Sequence, residues 1–279
     1  MKYKKLVTSL MASASLFSLP IFAQTTTAEP ESSLTYNVGV VSDYRYRGIS
    51  QTARMPALQG GVDYVDKSGF YVGNWNSTIS WIKDTANAQA TPPQSARAPV
   101  EVDFYGGYKG SFSELIGYDV GLFESYYPTN NLHSVTNGPG ANFSDASTTE
   151  IYGSVSVGSL SVKISNSLTN LFGYVGTKNS TYFDLSYSFD FGDGLTSVAH
   201  YGNQTMKMSN AQYVTYGVTD YNDYSMSLNK DFDGLVISAL VSTTDWAKRG
   251  YLHINDMLAG SGTSNIAGST FVLGVKKNF

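Results

Sequence analysis

Short segments in which apolar and polar residues alternate recur along most of the chain. Near the start, Leu34, Tyr36 and Val38 alternate with Thr35 and Asn37, and the same two-residue period returns in eleven later segments. A period of two is that of a β-strand with two different faces. No long segment shows a 3.6-residue period with helix caps, so we expect almost no helix. The pattern predicts twelve strands at 34–42, 58–65, 70–79, 100–109, 115–124, 149–157, 160–168, 181–189, 195–203, 221–230, 235–243 and 269–279.

The connections between these segments alternate strictly between short and long. Short ones include "DKSG" at 66–69 and "GS" at 158–159, whereas "KDTANAQATPPQSARAP" at 83–99 is one of the long ones. A soluble sandwich has no reason to place every long loop at one end, but an outer-membrane barrel has short periplasmic turns, long extracellular loops and an even number of strands. Residues 34–279 are therefore predicted to form a transmembrane antiparallel β-barrel, with the apolar row facing lipid and the polar row facing the lumen.

The first 23 residues have the three-part layout of a secretory signal peptide. Lys2, Lys4 and Lys5 form a positive head, an apolar run follows, and cleavage is expected after Ala23. The alternative is a membrane anchor, but the apolar run is shorter than the ~20 residues that a spanning helix needs. Residues 24–33 are polar and are predicted to be a flexible N-terminal segment. The expected location is the outer membrane of a Gram-negative bacterium.

Composition and charge narrow the class of protein. Loss of the three signal-peptide lysines would take the formal net charge from −4 to −7, which argues against a nucleic-acid partner. The exported chain has no cysteine, so no disulfide framework can hold it together. The 21 tyrosines and 27 glycines, with only 14% charged residues, favour strands joined by tight turns.

The first strand is followed by "SDYRYRGISQT" at 42–52, in which tyrosine and arginine alternate. If the two-residue period of strand 34–42 continues, Tyr44 and Tyr46 face lipid in the aromatic girdle of the barrel. Arg45 and Arg47 then point into the pore mouth. The alternative is a solvent-exposed loop in which both residue types are wet.

The polar row predicts which side chains line a pore. The acidic residues of this row outnumber its basic residues, which include Lys276. The lumen is therefore expected to attract cations or zwitterions. The alternative is a barrel plugged by salt bridges across its lumen. Twelve strands lie between the filled eight-stranded and the open sixteen-stranded barrels, which favours a narrow or gated pore. The pore-lining candidates are Asp43, Arg45, Arg47, Asp63, Glu101, Asp103, Asp119, Glu150, Lys163, Asp184 and Asp223.

Several motifs near the N-terminal end resemble a known family. "VSDYRYRGISQT" at 41–52, "PALQGGVDYV" at 56–65 and "SGFYVGNW" at 68–75 are similar to the signature of the TorF-type porin family, and "EVDFYGGYKG" at 101–110 is also family-like. The long loops match nothing that can be placed. The resemblance implies an outer-membrane barrel and a role in solute uptake. It implies no particular substrate and no binding residues.

Catalytic and metal chemistry find little support in the sequence. The three histidines, His133, His200 and His253, have no neighbours at metal-ligand spacing. An outer-membrane phospholipase needs a serine and a histidine side by side, but Ser197 lies three residues before His200 and therefore on the opposite face. "DFGDG" at 190–194 fits a hairpin turn between strands. We therefore expect no enzyme activity, no cofactor and no metal.

The sequence as a whole predicts an outer-membrane channel for passive diffusion of small polar solutes or ions. Expected partners are the outer-membrane lipid, the permeant and the barrel-assembly machinery. The last of these would recognise the C-terminal strand, in which Phe271, Leu273 and Val275 share one row with Phe279. Two alternatives stay open, namely a structural or surface-interaction barrel and an outer-membrane hydrolase.

Overall fold

A computed structural model describes residues 32–89, 97–134, 143–209, 211, 218–246 and 266–279. Twelve strands in the described residues form a closed ring in which every pair is antiparallel, which confirms the predicted twelve-stranded barrel. The predicted signal peptide at 1–23 and most of the segment 24–33 lie outside the described residues.

Each of the twelve predicted segments coincides with a barrel strand to within a few residues. A two-stranded hairpin, β2 (Arg45–Tyr46) and β3 (Ile49–Ser50), interrupts the series after the first strand. One α-helix, α1 (Trp81–Gln89), and two 3₁₀ turns, Leu132–Ser134 and Leu171–Gly173, lie in the long connections. No helix in the described ranges is long and apolar enough to cross a bilayer. The barrel strands are β1 (Ser33–Val41), β4 (Ala57–Val65), β5 (Phe70–Thr78), β6 (Val100–Ser111), β7 (Ile116–Tyr126), β8 (Thr148–Val157), β9 (Leu160–Ser167), β10 (Thr181–Asp190), β11 (Leu195–Thr205), β12 (Tyr221–Phe232), β13 (Leu235–Thr244) and β14 (Thr270–Asn278).

The ring closes between the first and the last strand. Val40 of β1 lies opposite Leu58 of β4 on one side and opposite Val275 of β14 on the other. Beyond the ladder, Phe279 donates its backbone N–H to the carbonyl of Tyr36 at 2.9 Å. Each strand of the ring therefore has two neighbours, and the sheet has no free edge.

Eleven of the twelve barrel strands carry exposed apolar side chains on the outer face of the barrel. Val38 and Val40 of β1 are 46% and 51% exposed, and Val120 and Leu122 of β7 are each 52% exposed. An apolar surface of this extent is rare on a soluble monomer but is what the lipid-facing band of a membrane barrel requires. Other exposed apolar residues on the strands include Leu58, Phe70, Val72, Phe104, Ile151, Val155, Ile164, Tyr187, Tyr224, Met226, Ile237, Val241, Phe271, Leu273 and Val275.

The predicted alternation of short and long connections is present in the barrel. The short turns span 66–69, 112–115, 158–159, 191–194 and 233–234, and the long connections lie at the other end. In the first short turn, Ser68 donates from its hydroxyl and its backbone N–H to the Asp66 carboxylate, and these bonds lower the pKa of Asp66 to about 2. Gly69 follows with φ of 101°, a conformation open mainly to glycine.

The hydrophobic core of the molecule lies at the end of the barrel that carries the long connections. Side chains from the connections turn inward there and pack with the last residues of the strands, so that one mouth is covered by a packed apolar layer. We call this layer the mouth core. Its larger members are Tyr44, Tyr46, Trp75, Ile79, Trp81, Ile82, Tyr127, Leu132, Phe143, Leu171, Met206, Val218, Tyr221, Trp246 and Ile266.

The outward orientation of Leu122 leads to a stability prediction. Leu122 lies near the middle of β7, so Leu122→Arg would place a charge in the hydrocarbon and should lower the free energy of unfolding by about 2–4 kcal/mol. Urea unfolding in lipid vesicles, followed by the loss of the fast-migrating unheated gel band, measures this. Leu122→Met is the matched control and should behave like the native protein. Equal stability of all three proteins would show that this face does not meet lipid.

Candidate functional site in the barrel interior

A hairpin folds into the lumen directly after the first barrel strand. Arg45 pairs with Ser50 and Tyr46 with Ile49, which leaves Arg47 and Gly48 as a two-residue loop. Their φ values of 47° and 78° are both positive, as the type I′ hairpin turn requires. We call residues 45–50 the inner hairpin.

Gly48 is needed at the tip of the inner hairpin for a second reason. A Cβ atom on Gly48 would lie 2.6 Å from side-chain carbons of both Asp223 and Thr244. These two residues belong to β12 and β13, so the tip of the hairpin is pressed against the inner wall. Any other residue here would strain the turn and also push the hairpin off the wall.

Arg47 fastens the inner hairpin to the opposite wall. Its Nη2 lies 2.6 Å from Oε2 of Glu150, and its Nη1 donates to Oε1 of Gln204 at 2.9 Å. The guanidinium carbon also lies 4.2 Å from the ring centre of Tyr182, a cation–π geometry. Glu150 is on β8, five strands away from β1 by the shorter way round the ring. The hairpin therefore crosses the lumen, and we call its contacts to Glu150 and Gln204 the latch.

The base of the inner hairpin is tied down by Arg45. Its Nε lies 2.7 Å from Oδ2 of Asp43, and Ser50 donates its hydroxyl to the other oxygen of that carboxylate at 2.6 Å. The Nη1 group of Arg45 donates to the backbone carbonyl of Ile266 at 2.6 Å. Arg45 thus joins the hairpin to the connection between β13 and β14.

Tyr44 and Tyr46 do not face lipid, and the prediction that they do is wrong. Tyr44 is fully buried, donates its hydroxyl to Glu101 at 2.6 Å and packs edge-on against Trp75 at 5.3 Å. Tyr46 is 7% exposed within the mouth core. The physical reason is that the chain bends after Val41 and leaves the wall, so the two-residue period no longer assigns faces. The solvent-exposed loop is also excluded, because Arg45 and Arg47 are buried.

A histidine lies between two carboxylates on the inner wall below the hairpin tip. His200 places Nε2 2.9 Å from Oδ1 of Asp223 and Nδ1 3.3 Å from Oδ2 of Asp184. Tyr182 donates its hydroxyl to Asp223 at 2.9 Å. This cluster adjoins the latch, because the Tyr182 ring also carries the Arg47 guanidinium.

The same histidine contacts a serine that the sequence analysis did not pair with it. Ser186 Oγ lies 3.3 Å from Nδ1 of His200 and donates to Asp184 at 2.7 Å. The two residues are cross-strand partners in the β10–β11 pair, and correct strand register would have shown this. A general base needs a ring nitrogen that is free to take a proton. Both nitrogens of His200 face carboxylates, so the contact lacks that feature of a catalytic pair.

Tyrosines and aspartates form a separate polar group on β4 to β8. Tyr71 donates to Asp119 at 2.6 Å and shares a hydroxyl contact with Tyr152. Tyr105 donates to Asp63 at 2.5 Å. These bonds give hydrogen-bond donors to carboxylates that are partly buried on the inner wall.

The interior tyrosine rings lie flat along the wall because glycines on the neighbouring strand make room for them. A Cβ atom on Gly73 would lie 2.3 Å from the Tyr105 ring, and one on Gly121 would lie 2.5 Å from the Tyr152 hydroxyl. Gly73 and Gly121 are the register partners of these two tyrosines. A ring held on the wall takes up less of the lumen than one that crosses it.

The pore-lining candidates fall into distinct groups in the structure. Glu101 and Asp103 are buried on one face of β6 near the mouth core, and Lys163 lies 4.0 Å from the Tyr152 ring centre. Whether any candidate lines a conduction path stays a prediction. The described residues hold no cluster of three or more His, Asp or Glu placed to bind a metal ion, and His253 lies outside them. The latch and histidine cluster bring together Arg47, Glu150, Asp184 and Asp223; Asp43 pairs with Arg45; Asp63 and Asp119 bond to tyrosines.

A closed ring of twelve antiparallel strands, apolar outside and hydrogen-bonded inside, defines a transmembrane β-barrel. Within that class, residues 25–279 match the model of a bacterial protein family of unknown function, Gcw_chp, and the chain belongs to that family. No curated protein matches the chain in sequence. The TorF-type resemblance stays a hypothesis that rests on the motifs at 41–75 and 101–110.

Three solved structures are examples of those to which this chain is similar. A KdgM porin in complex with disordered oligogalacturonate is 9% identical, with 89% of this chain and 99% of that chain covered and a TM-score of 0.48. OprD from Pseudomonas aeruginosa is 12% identical, with 88% and 66% covered and a TM-score of 0.36. LpxR from Salmonella typhimurium is 9% identical, with 88% and 99% covered and a TM-score of 0.43. Likeness at this level supports no inference about what this chain transports or catalyses.

The buried latch leads to a second stability prediction. Removal of one partner of a buried ion pair leaves the other charge uncompensated, so Arg47→Met or Glu150→Gln should each lower the free energy of unfolding by roughly 3–5 kcal/mol. The double variant should lose less than the sum, because neither charge is then left behind. Urea unfolding in vesicles measures the cycle, with Arg54→Met on the same connection as control. Simple additivity of the two losses would contradict the latch.

Proposed function

We propose that this chain is an outer-membrane channel for passive diffusion of small polar solutes or ions, closed at rest by the inner hairpin. The observation that carries the proposal is the combination of a continuous apolar band outside with charged and hydrogen-bonding side chains inside. A bilayer would cover the apolar band, and a hydrated solute path would use the charged and hydrogen-bonding side chains of the interior.

The charges inside the barrel support a preference for cations or zwitterions. Asp63, Asp119 and Asp184 are partly buried acidic groups on the inner wall, and the predicted pore-lining set contains more acidic than basic residues. Fixed negative charge inside a low-dielectric wall raises the local concentration of positive solutes. The proposed permeants are therefore small and polar, and anions are the least favoured among them.

The C-terminal strand supports the proposal of an outer-membrane location. Phe271, Leu273 and Val275 are exposed on the outer face of β14, and Phe279 is 69% exposed at its end. We propose that the barrel-assembly machinery recognises this aromatic strand. The role in solute uptake that the TorF-type resemblance implies accords with the same proposal.

A second candidate is a barrel that does not conduct and serves a structural or surface-interaction role. The latch and the mouth core favour it, because together they place buried side chains across the lumen and one mouth. In that case Arg47 and Glu150 would be permanent struts. An outer-membrane hydrolase is the weaker alternative, since His200 is engaged by Asp184 and Asp223.

Liposome swelling separates these candidates. Vesicles that contain the purified barrel are diluted into isotonic small sugars, amino acids or amine oxides, and planar bilayers measure ion conductance in parallel. The channel proposal expects faster swelling than in empty vesicles for at least one solute class. Vesicles that hold correctly folded, heat-modifiable protein but swell no faster with any solute would support the non-conducting barrel.

Release of the latch should increase conduction. Arg47→Ala removes the contacts to Glu150 and Gln204, so the inner hairpin loses its hold on the far wall and the channel should open more often. We expect an open probability several times that of the native protein in planar bilayers. Arg54→Ala is the control, because it removes an arginine from the same connection, where its side chain donates to the Ser269 carbonyl. Equal conductance of native, Arg47→Ala and Arg54→Ala proteins would show that the latch does not gate.

A further inference from the structure

A cavity lies in the mouth core between the inner hairpin and the long connections. It offers about 90 Å³ of space to the centres of water molecules, which is room for several waters or one small ligand. Its walls are mainly apolar and include the aromatic side chains of Tyr46, Trp81, Phe172, Tyr221 and Trp246. The rings of Tyr221 and Trp246 stack at 4.9 Å with an interplanar angle of 18°.

The described lining of this cavity carries no charged side chain. Both arginines of the inner hairpin are already paired, Arg47 with Glu150 and Arg45 with Asp43. A charged ligand would therefore lose its hydration without gaining an opposite charge, which is unfavourable in a buried site. The ligand that fits is uncharged.

Three buried donors on the lining have no acceptor. The indole Nε1 atoms of Trp81 and Trp246 and the hydroxyl of Thr85 make no hydrogen bond to any part of the chain that the structure describes. The three residues are 8%, 7% and 1% exposed. Buried polar groups nearly always find a partner. Because the three atoms themselves have almost no accessible surface, a ligand in the cavity that their residues line would have to shift these side chains slightly to supply the missing acceptors.

Aromatic walls and unpaired donors together restrict the chemistry of the ligand. A quaternary ammonium ion would use the rings but would leave all three donors unpaired, and so would an aromatic hydrocarbon. A pyranose ring presents C–H groups on its faces and oxygen acceptors around its edge, so it can satisfy both the rings and the donors. We propose that this cavity binds an uncharged sugar. That the sugar site is an entry site for the permeant rests on the proposed channel function.

The inner hairpin forms part of the wall of the proposed site. Tyr46 and Ile49 of the hairpin line the cavity together with Gln204, which accepts a hydrogen bond from Arg47 in the latch. A sugar that bonds to Gln204 would compete with Arg47 for the same side chain. Occupancy of the site is thereby coupled to the element that closes the lumen.

Binding is tested with the full-length folded barrel in detergent, with glucose and maltose as probes. Tryptophan fluorescence and calorimetry should show saturable binding of at least one of them. Galacturonate, tetramethylammonium and benzyl alcohol are the comparison ligands, as an anion, a cation and an uncharged aromatic, and each should bind more weakly. Tighter binding of any of these three than of both sugars would overturn the proposal.

The chain has three tryptophans, which provides a matched set of variants. Trp81→Phe and Trp246→Phe keep a ring but remove the N–H donor, and each should weaken sugar binding about fivefold to tenfold, as expected for one hydrogen bond. Trp75→Phe, outside the cavity lining, should leave affinity unchanged. Thr85→Val tests the third donor with little change of shape. Affinities that are the same in all four variants and the native protein would contradict the site.

The binding and swelling results distinguish a failure of this inference from a failure of the proposed function. Solute-driven swelling without sugar binding would contradict the proposed sugar site and support the proposed channel. Saturable sugar binding that weakens in Trp81→Phe and Trp246→Phe, without any swelling in vesicles, would support the sugar site and contradict the channel. Each variant is first required to show the heat-modifiable gel band, so that loss of binding is not loss of the fold.

Discussion

Closure of the sheet between β1 and β14 is the constraint on which the rest of the structure depends. In hydrocarbon an unpaired backbone amide costs several kcal/mol, so each strand must have two neighbours. Once the ring is closed, the pleat sends alternate side chains outward and inward. The outward side chains need only contact with lipid. The polar inward side chains need hydrogen-bond partners, which the protein, water or a solute must provide.

The inward side chains are satisfied by pairs that form within one connection, between neighbouring strands and, in one case, across the lumen. Arg47 meets Glu150, Arg45 meets Asp43, and His200 lies between Asp184 and Asp223. Buried pairs of this kind add little net stability compared with an apolar core, but they are costly to break singly. They suit a lumen whose side chains have one well-defined arrangement.

The barrel could be predicted from the sequence because its signals are local. The two-residue period and the alternation of turn lengths in segments such as 149–157 and 160–168 depend on neighbouring residues only. The inner hairpin could not be predicted in this way. Residues 44–47 keep the two-residue period of a strand, but they follow a bend in the chain that takes them away from the barrel wall. Gly48, which adopts a positive φ after Arg47, is a local sign of a turn at the tip of the hairpin. The partner of Arg47 is 103 residues away, and no local pattern indicates it.

The pairing order of the strands also shapes the folding path. Eleven of the twelve strand pairings join barrel strands that are consecutive in the chain, and only β1 with β14 is distant. Consecutive hairpins need little loop-closure entropy, whereas the contact between Asn37 and Asn278 closes nearly the whole chain. Contact order is therefore low for every step except the final one. The barrel can form by successive addition of hairpins, and the pairing of β1 with β14 comes last, after the C-terminal strand has been synthesised.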